Sequence, residues 1–314
     1  MNFYSLLLLI VLSSIPSLFW LIFYYYYSPR FTTSRGFLIA LFFLGMLSAT
    51  IGVLIEKGIF QILPPSILTT FQKYFSGTPI VYKSSDVLTI FALMFFLVAP
   101  IEELLKFLMI KLALSKNPEH LNQIIDGIKF GLVTGLGFAV VENAIYFRQP
   151  FFMGDNSLLL KLFLVRLFIS TLGHSLYTGI MGYYLGLARF YKLYDRHFLR
   201  EGVLLAIFVH GIFNFFILVN LGYFSIAVLI IFLLLMFKWY QDRRNLENYI
   251  AEGRIKLIHP PFLSERTEFE SILAKNKVTY EFIKKLNLCP FCLKRKDPQK
   301  DICSYCGGKI KREK

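Results

Sequence analysis

Seven apolar runs, each long enough to cross a bilayer, fill the first 240 residues of this chain and decide its fold class. An α-helix rises about 1.5 Å per residue, so about 20 apolar residues span the hydrocarbon core. The runs fall at roughly 2–24, 36–55, 86–113, 124–147, 158–188, 198–220 and 222–240. Charged residues make up 17% of the chain, well below the roughly 25% of soluble globular proteins. An all-soluble fold is therefore excluded, and an all-α polytopic membrane protein of about seven helices is predicted. The first run has no basic residue before it, lacks a small-residue cleavage pattern and is too long for a signal peptide, so it reads as a retained helix. The third and fifth runs exceed the minimum length, which predicts tilt, a kink or extension past the bilayer.

Lys and Arg set an expected orientation. Arg30 and Arg35, Lys111 and Lys116, the Arg189, Lys192, Arg196 and Arg200 group, and Lys238, Arg243 and Arg244 all fall on one side of a seven-span chain. The opposite side carries Lys57, Lys73, Lys83 and Arg148. The positive-inside rule then places the N-terminus outside and the C-terminus in the cytoplasm, as a multi-pass protein of the cell membrane.

The last 74 residues differ in kind. Residues 241–314 hold half of the chain's 34 basic and half of its 20 acidic residues, and so half of its +14 net charge. The reading divides the chain into a helical bundle over 1–240, a partly helical cytoplasmic linker over 241–287 and a small ribbon over 288–314. In the ribbon, Cys289 and Cys292 form one CxxC pair, and Cys303 and Cys306 a second, with ten residues between the pairs. Two such pairs present four thiolates tetrahedrally, which predicts a structural zinc ion, with rubredoxin-like iron as the alternative metal. The basic residues around the ribbon read as a solvated surface that docks a cytosolic partner or stays near the lipid bilayer, rather than as a nucleic-acid site.

Ionisable residues inside a span are expensive, and their presence is a functional signal. Run three contains Pro100-Ile-Glu102-Glu103-Leu-Leu-Lys106, run four Glu142-Asn143, run five His174, and run six His210 with Asn214. Glu102 and Lys106 are four residues apart and share a helix face, so they are expected to pair, with Glu103 about 100° away. Pro100 lacks an N–H and is expected to kink its helix just before the pair. His210 and Asn214 also share a face and are candidate donors to an oxyanion. Lys106 and Arg166 have an alternative reading as side chains that snorkel to opposite interfaces, and each His or Asn one as a helix–helix hydrogen bond. At ideal helical rise the polar groups spread over about 12 Å of depth, with Glu142 farthest from Glu103. Gly127, Gly131 and Gly135, and Gly179, Gly182 and Gly186, predict close helix approach between runs four and five.

Taken as an ordered set over 86–220, Glu-Glu-x-x-Lys, Phe-x-x-x-Glu-Asn, a mid-span His and His-x-x-x-Asn resemble the PrsW family of intramembrane proteases. The set is similar, more distantly, to CAAX prenyl proteases and bacteriocin-processing membrane proteins. The prenyl-protease group carries His where this chain has Glu142, which favours the PrsW likeness. That resemblance implies a glutamate-type hydrolase in which Glu102 or Glu103 activates water. It also implies that Glu142, His174, His210 and Asn214 position the water and hold the oxyanion, with Lys106 and Asn143 in support. A membrane-anchored protein substrate of the anti-sigma-factor kind is implied as well. The cysteine ribbon lies outside the family's core pattern.

A catalytic metal is weighed against metal-free chemistry. Glu and two His could bind zinc, but no HExxH is present, so the sequence favours the metal-free form. Two other function classes remain beside the protease: a proton- or ion-coupled transporter, against which no inverted repeat is visible, and a non-catalytic receptor recruiting a partner through the ribbon. The in-span polar set separates the protease from the receptor, since a passive scaffold has no use for it.

Overall fold

A computed structural model describes residues 3–27, 34–69, 84–121, 124–190 and 195–251. All long elements are helices, and seven of them, counted across two interruptions, are long and apolar enough to cross a membrane. The protein is thus an all-helical, multi-pass membrane protein. The expected ribbon, including Cys289, Cys292, Cys303 and Cys306, lies outside the described residues, as does the linker beyond Ala251.

The helices are α1 (Phe3–Tyr27), α2 (Arg35–Ile62), α3 (Ser84–Leu93), α4 (Ala99–Lys116), α5 (Ile124–Met153), α6 (Asn156–Val165), α7 (Thr171–Phe190), α8 (Asp195–Leu218) and α9 (Gly222–Ala251). A π-helical turn, Met94–Val98, joins α3 to α4 within one continuous span, and a second, Arg166–Ser170, joins α6 to α7. These are the two long runs for which a kink or extension was expected. The first has a visible cause. Pro100 has no N–H to give the carbonyl four residues back, and just before it Ala99 N–H reaches five residues back, to Met94 O. Helix ends follow local chemistry. Ser34 Oγ accepts from Phe37 N at the start of α2, and Asp155 Oδ1 accepts from Leu158 N at the start of α6. The α8–α9 turn places Asn220 at φ 59°, while Leu221 N–H bonds Phe216 O and Asn220 N–H bonds Ile217 O. That is the reversal that ends helices with a left-handed residue.

Burial is organised around α5. Of its apolar window 89% is buried, against 22% for α1 and 17% for α9, so α5 is the axial helix and the others shield it from lipid. Large apolar side chains such as Leu54, Phe96, Leu108, Ile231 and Phe237 stay exposed on the outside. In water such a surface would drive association; here it meets acyl chains.

The expected glycine contact is present between α5 and α7. A Cβ on Gly131 would collide with the Thr178 backbone, and one on Gly135 with the His174 carbonyl oxygen. The two backbones touch with no side chain between them, and this contact sets where His174 stands. Gly135→Val is therefore expected to separate α5 from α7, lowering stability by at least about 1–3 kcal/mol and abolishing function. Detergent-solubilised thermal melts check the first effect; an unchanged melting temperature would show that the helices do not meet there. The N-terminal helix is pinned to the same region: Trp20 Nε1 donates to Leu167 O at 2.6 Å, and the Tyr24 and Ser175 hydroxyls lie 3.0 Å apart.

Candidate active site

Three helices bring two carboxylates and two imidazoles together beneath the π-turns. Glu102, Glu103 and Lys106 come from the first two turns of α4, His174 from the first turn of α7, and His210 from the middle of α8. All five are buried, with Glu103, Lys106 and His210 at 0% exposure, so none of them snorkels. One donor atom from each of Glu102, Glu103, His174 and His210 lies within 4.8 Å of the others.

Glu103 is the anchored carboxylate. Its Oε1 accepts from Lys106 Nζ at 2.7 Å and from His210 Nδ1 at 2.8 Å. Thr178 Oγ1 lies 3.5 Å from its Oε2 while donating to the His174 carbonyl at 2.9 Å. The expected ion pair of Lys106 with Glu102 is present, with Glu102 Oε2 3.6 Å from the ammonium, but Glu103 is the nearer, hydrogen-bonded partner at 2.7 Å. Both i,i+3 and i,i+4 positions face a helical lysine, and the His210 donor draws Glu103 into the nearer place. Glu102 Oε2 is left buried with no hydrogen bond, 3.8 Å from His210 Nε2 and 4.0 Å from His174 Nδ1.

The hydrogen-bond network fixes both imidazoles. Asn214 Nδ2 lies 3.0 Å from His210 Nε2. An amide nitrogen only donates, so Nε2 accepts and Nδ1–H faces Glu103. Lys106 Nζ lies 3.3 Å from His174 Nδ1, so that nitrogen accepts and Nε2–H faces Glu142 Oε2, 2.5 Å away. The His210 ring stacks on Tyr177, with centroids 4.9 Å apart and planes 21° apart. Asn214→Leu is expected to free His210 to take the other tautomer and to remove a candidate oxyanion donor, reducing kcat/KM about 10²–10³-fold. Wild-type kcat/KM in the variant would mean that His210 does not need this hold.

A second layer lies behind His174. Glu142 Oε2 also takes Arg166 Nη2 at 2.5 Å, and Arg166 Nε donates to Asn143 Oδ1. Asn143 Nδ2 reaches Ser13 O at 3.1 Å and Thr171 Oγ1 at 3.3 Å, tying α1, α5 and α7 together. Arg166, expected at an interface, is instead buried at 5% exposure. The long span Asn156–Arg189 places it ten residues inside the helix, too far to reach either end. Glu142, expected to be remote, is linked to Glu103 through His174 and Lys106.

Glu56 on α2 was missed, because run two was drawn to end at 55. Its Oε1 is buried without a hydrogen bond, and the carboxyl lies within electrostatic range of Glu142 and Lys106. The signal was available: beyond Lys57, the apolar residues Ile59, Phe60 and Ile62 carry the run on to the end of α2. The buried Asp126–Lys129 pair, 3.7 Å apart, also went unremarked.

A helical membrane bundle with a buried cluster of carboxylates, imidazoles and a lysine at its centre is the build of an intramembrane enzyme. Comparison with known proteins gives it a family. Residues 33–239 match the family described as PrsW family intramembrane metalloprotease. A protease PrsW of Clostridioides difficile (strain 630) is 28% identical over 219 residues, covering 69% of this chain and 81% of the relative. One from Shouchella clausii (strain KSM-K16) is 33% identical over 142 residues, covering 45% of this chain and 61% of the relative. No solved structure matches the chain. The chain belongs to the PrsW family, and it is an intramembrane protease.

The family description bears on the metal. A missing HExxH pointed to metal-free chemistry, but that motif reports only ligands on a single helix. Here the candidate ligands come from three. Two carboxylates and two imidazoles are donors a divalent ion takes, and the unpartnered Glu102 Oε2 is an atom such an ion would satisfy. The donor set fits a metal in type and number.

Proposed function

We propose that the chain hydrolyses a peptide bond of a membrane-anchored protein, within or near the bilayer, with Glu102 as the group that takes the proton from water. The observation that carries this reading is the contrast between the paired carboxylates. Glu103 is saturated by Lys106 and His210, whereas Glu102 presents a buried oxygen that accepts no hydrogen bond. A general base must have a free acceptor within reach of its water.

In the proposed reaction, water is held between Glu102 and His174, whose ring is oriented by Glu142 and Arg166. Glu102 removes a proton as the water oxygen bonds the carbonyl carbon. Asn214 has a second amide N–H beyond the one given to His210, and this N–H beside the imidazole meets the oxyanion. Glu102 then returns the proton to the leaving amine as the C–N bond breaks, giving a carboxylic acid and an amine, which become carboxylate and ammonium when the acid's proton passes to the amine. Glu102, Glu103, His174 and His210 would hold a divalent ion, which supplies Lewis-acid polarisation and a more acidic water when bound.

The family resemblance supports a single-span regulator of the anti-sigma-factor type as the substrate class. The Lys and Arg distribution supports an outside N-terminus and a cytoplasmic C-terminus. We place a structural zinc on Cys289, Cys292, Cys303 and Cys306, in a ribbon that docks a cytosolic partner. Comparative membrane proteomics of wild type and Glu102→Gln tests the function. A full-length single-span protein should accumulate in the variant and a shortened form in the wild type; identical membrane proteomes would overturn the reading.

A further inference from the structure

Lys106 occupies an unusual place in the cluster. Its Nζ lies 2.7 Å from Glu103 Oε1, 3.3 Å from His174 Nδ1 and 3.6 Å from Glu102 Oε2. These atoms belong to three of the four side chains that converge as candidate metal ligands. The Phe138 ring lies 3.7 Å from the same nitrogen. An ammonium is a compact charge with three donors spread about one small atom. It thus stands among the converging donors and meets the needs that a bound metal would meet.

We propose that Lys106 is a tethered cation that fills the ion position among Glu102, Glu103, His174 and His210, so that a divalent ion enters only when the ammonium moves out. The inference rests on the hydrolytic reading of this cluster and adds a device that controls its metal occupancy. Two cations a few ångströms apart repel strongly where no water screens them, so the site holds one or the other. With neither, Glu102 and Glu103 would be buried side by side without a counter-charge, a costly state. Arg166 offers no substitute cation, since Glu142 already holds it. The lysine stem has four rotatable bonds, which lets the charge leave without moving α4. An arginine could not leave the same space so readily, because its guanidinium is planar and broad.

The test is a Co²⁺ titration of the full-length chain in detergent, followed by absorption. The tail cysteines are told apart by thiolate-to-cobalt charge transfer, which an oxygen and nitrogen site lacks. Lys106→Met should bind Co²⁺ at a thiolate-free site at least about tenfold tighter than wild type, the repulsion being gone. Lys106→Arg should stay at or below the wild-type affinity, and adding His174→Ala to Lys106→Met should remove the gain. If Lys106→Met does not fold without metal, recovery of its melting transition by Co²⁺ supports the proposal. If it does not fold at all, Lys106→Gln, which keeps a donor but loses the charge, is titrated in its place and read by the same criterion. Equal thiolate-free affinity in wild type and the neutral variant overturns the proposal, whether both bind tightly or neither binds. Cleavage by the wild type is assayed in parallel. A cleaving enzyme with equal affinities sinks the tethered cation alone. An affinity difference in a chain that cleaves nothing sinks the protease reading alone.

Discussion

Glu102→Gln is expected to lower the rate of substrate cleavage by about 10²–10⁴-fold, the usual contribution of a general base, with no fall in melting temperature. The substitution is nearly isosteric, and the Oε2 it alters accepts no hydrogen bond. Glu103→Gln should behave differently. It removes the negative charge that faces both Lys106 and His210, so it should lower stability as well as activity. The pair therefore separates a base from an anchor on adjacent residues. Reconstituted cleavage of a single-span substrate gives the rate, and thermal melts in the same detergent give the stability. Should Glu102→Gln cleave at the wild-type rate while Glu103→Gln keeps its fold and loses cleavage, the two roles are reversed.

Arg166→Met should cost about 3–5 kcal/mol of stability, because it leaves the Glu142 carboxylate inside the bundle without its cation. Removing both members should cost less than removing one. Arg166→Met with Glu142→Gln is therefore expected to recover much of the loss, which a double-mutant cycle in denaturant unfolding measures. His174 loses its orienting carboxylate in the double variant, so activity should remain low even as stability returns. A single variant as stable as the wild type would mean that Arg166 reaches solvent, the interface reading that its burial contradicts.

The seven spans were legible because a bilayer imposes a minimum apolar length that few other constraints imitate. Glu102, Glu103, Glu142, His174, His210 and Asn214 stood out because each interrupts an apolar run. What the sequence did not carry was their mutual height and facing. Ideal helical rise put Glu142 about 12 Å deeper than Glu103, yet a relay of side chains joins them. Helix tilt and the two π-turns alter height and phase, and no residue pattern announces a π-turn except the proline beside the first. Arg166 and Lys106 were ambiguous for a related reason. Snorkelling depends on where a helix ends, and the span bearing Arg166 begins at Asn156, well before it. The tail cysteines make the opposite case: their spacing is the plainest motif in the chain, and they lie outside the described residues.

The π-turns also have a consequence for how such spans can vary. A π-turn accommodates one extra residue per turn, so everything after it is rotated by about 100° relative to an uninterrupted helix. Met94–Val98 and Arg166–Ser170 each stand within about one turn of the residues they orient, Glu102–Glu103 and His174. Each of these spans is therefore two helices coupled through a phase offset. The first half can be lengthened, shortened or re-faced to suit a different lipid depth or substrate, while the clutch-like turn preserves the angular setting of the second. Deleting a single residue within either turn would restore an ordinary helix with the same angular setting, whereas winding the turn as α-helix without a deletion would swing the chemistry away from its partners.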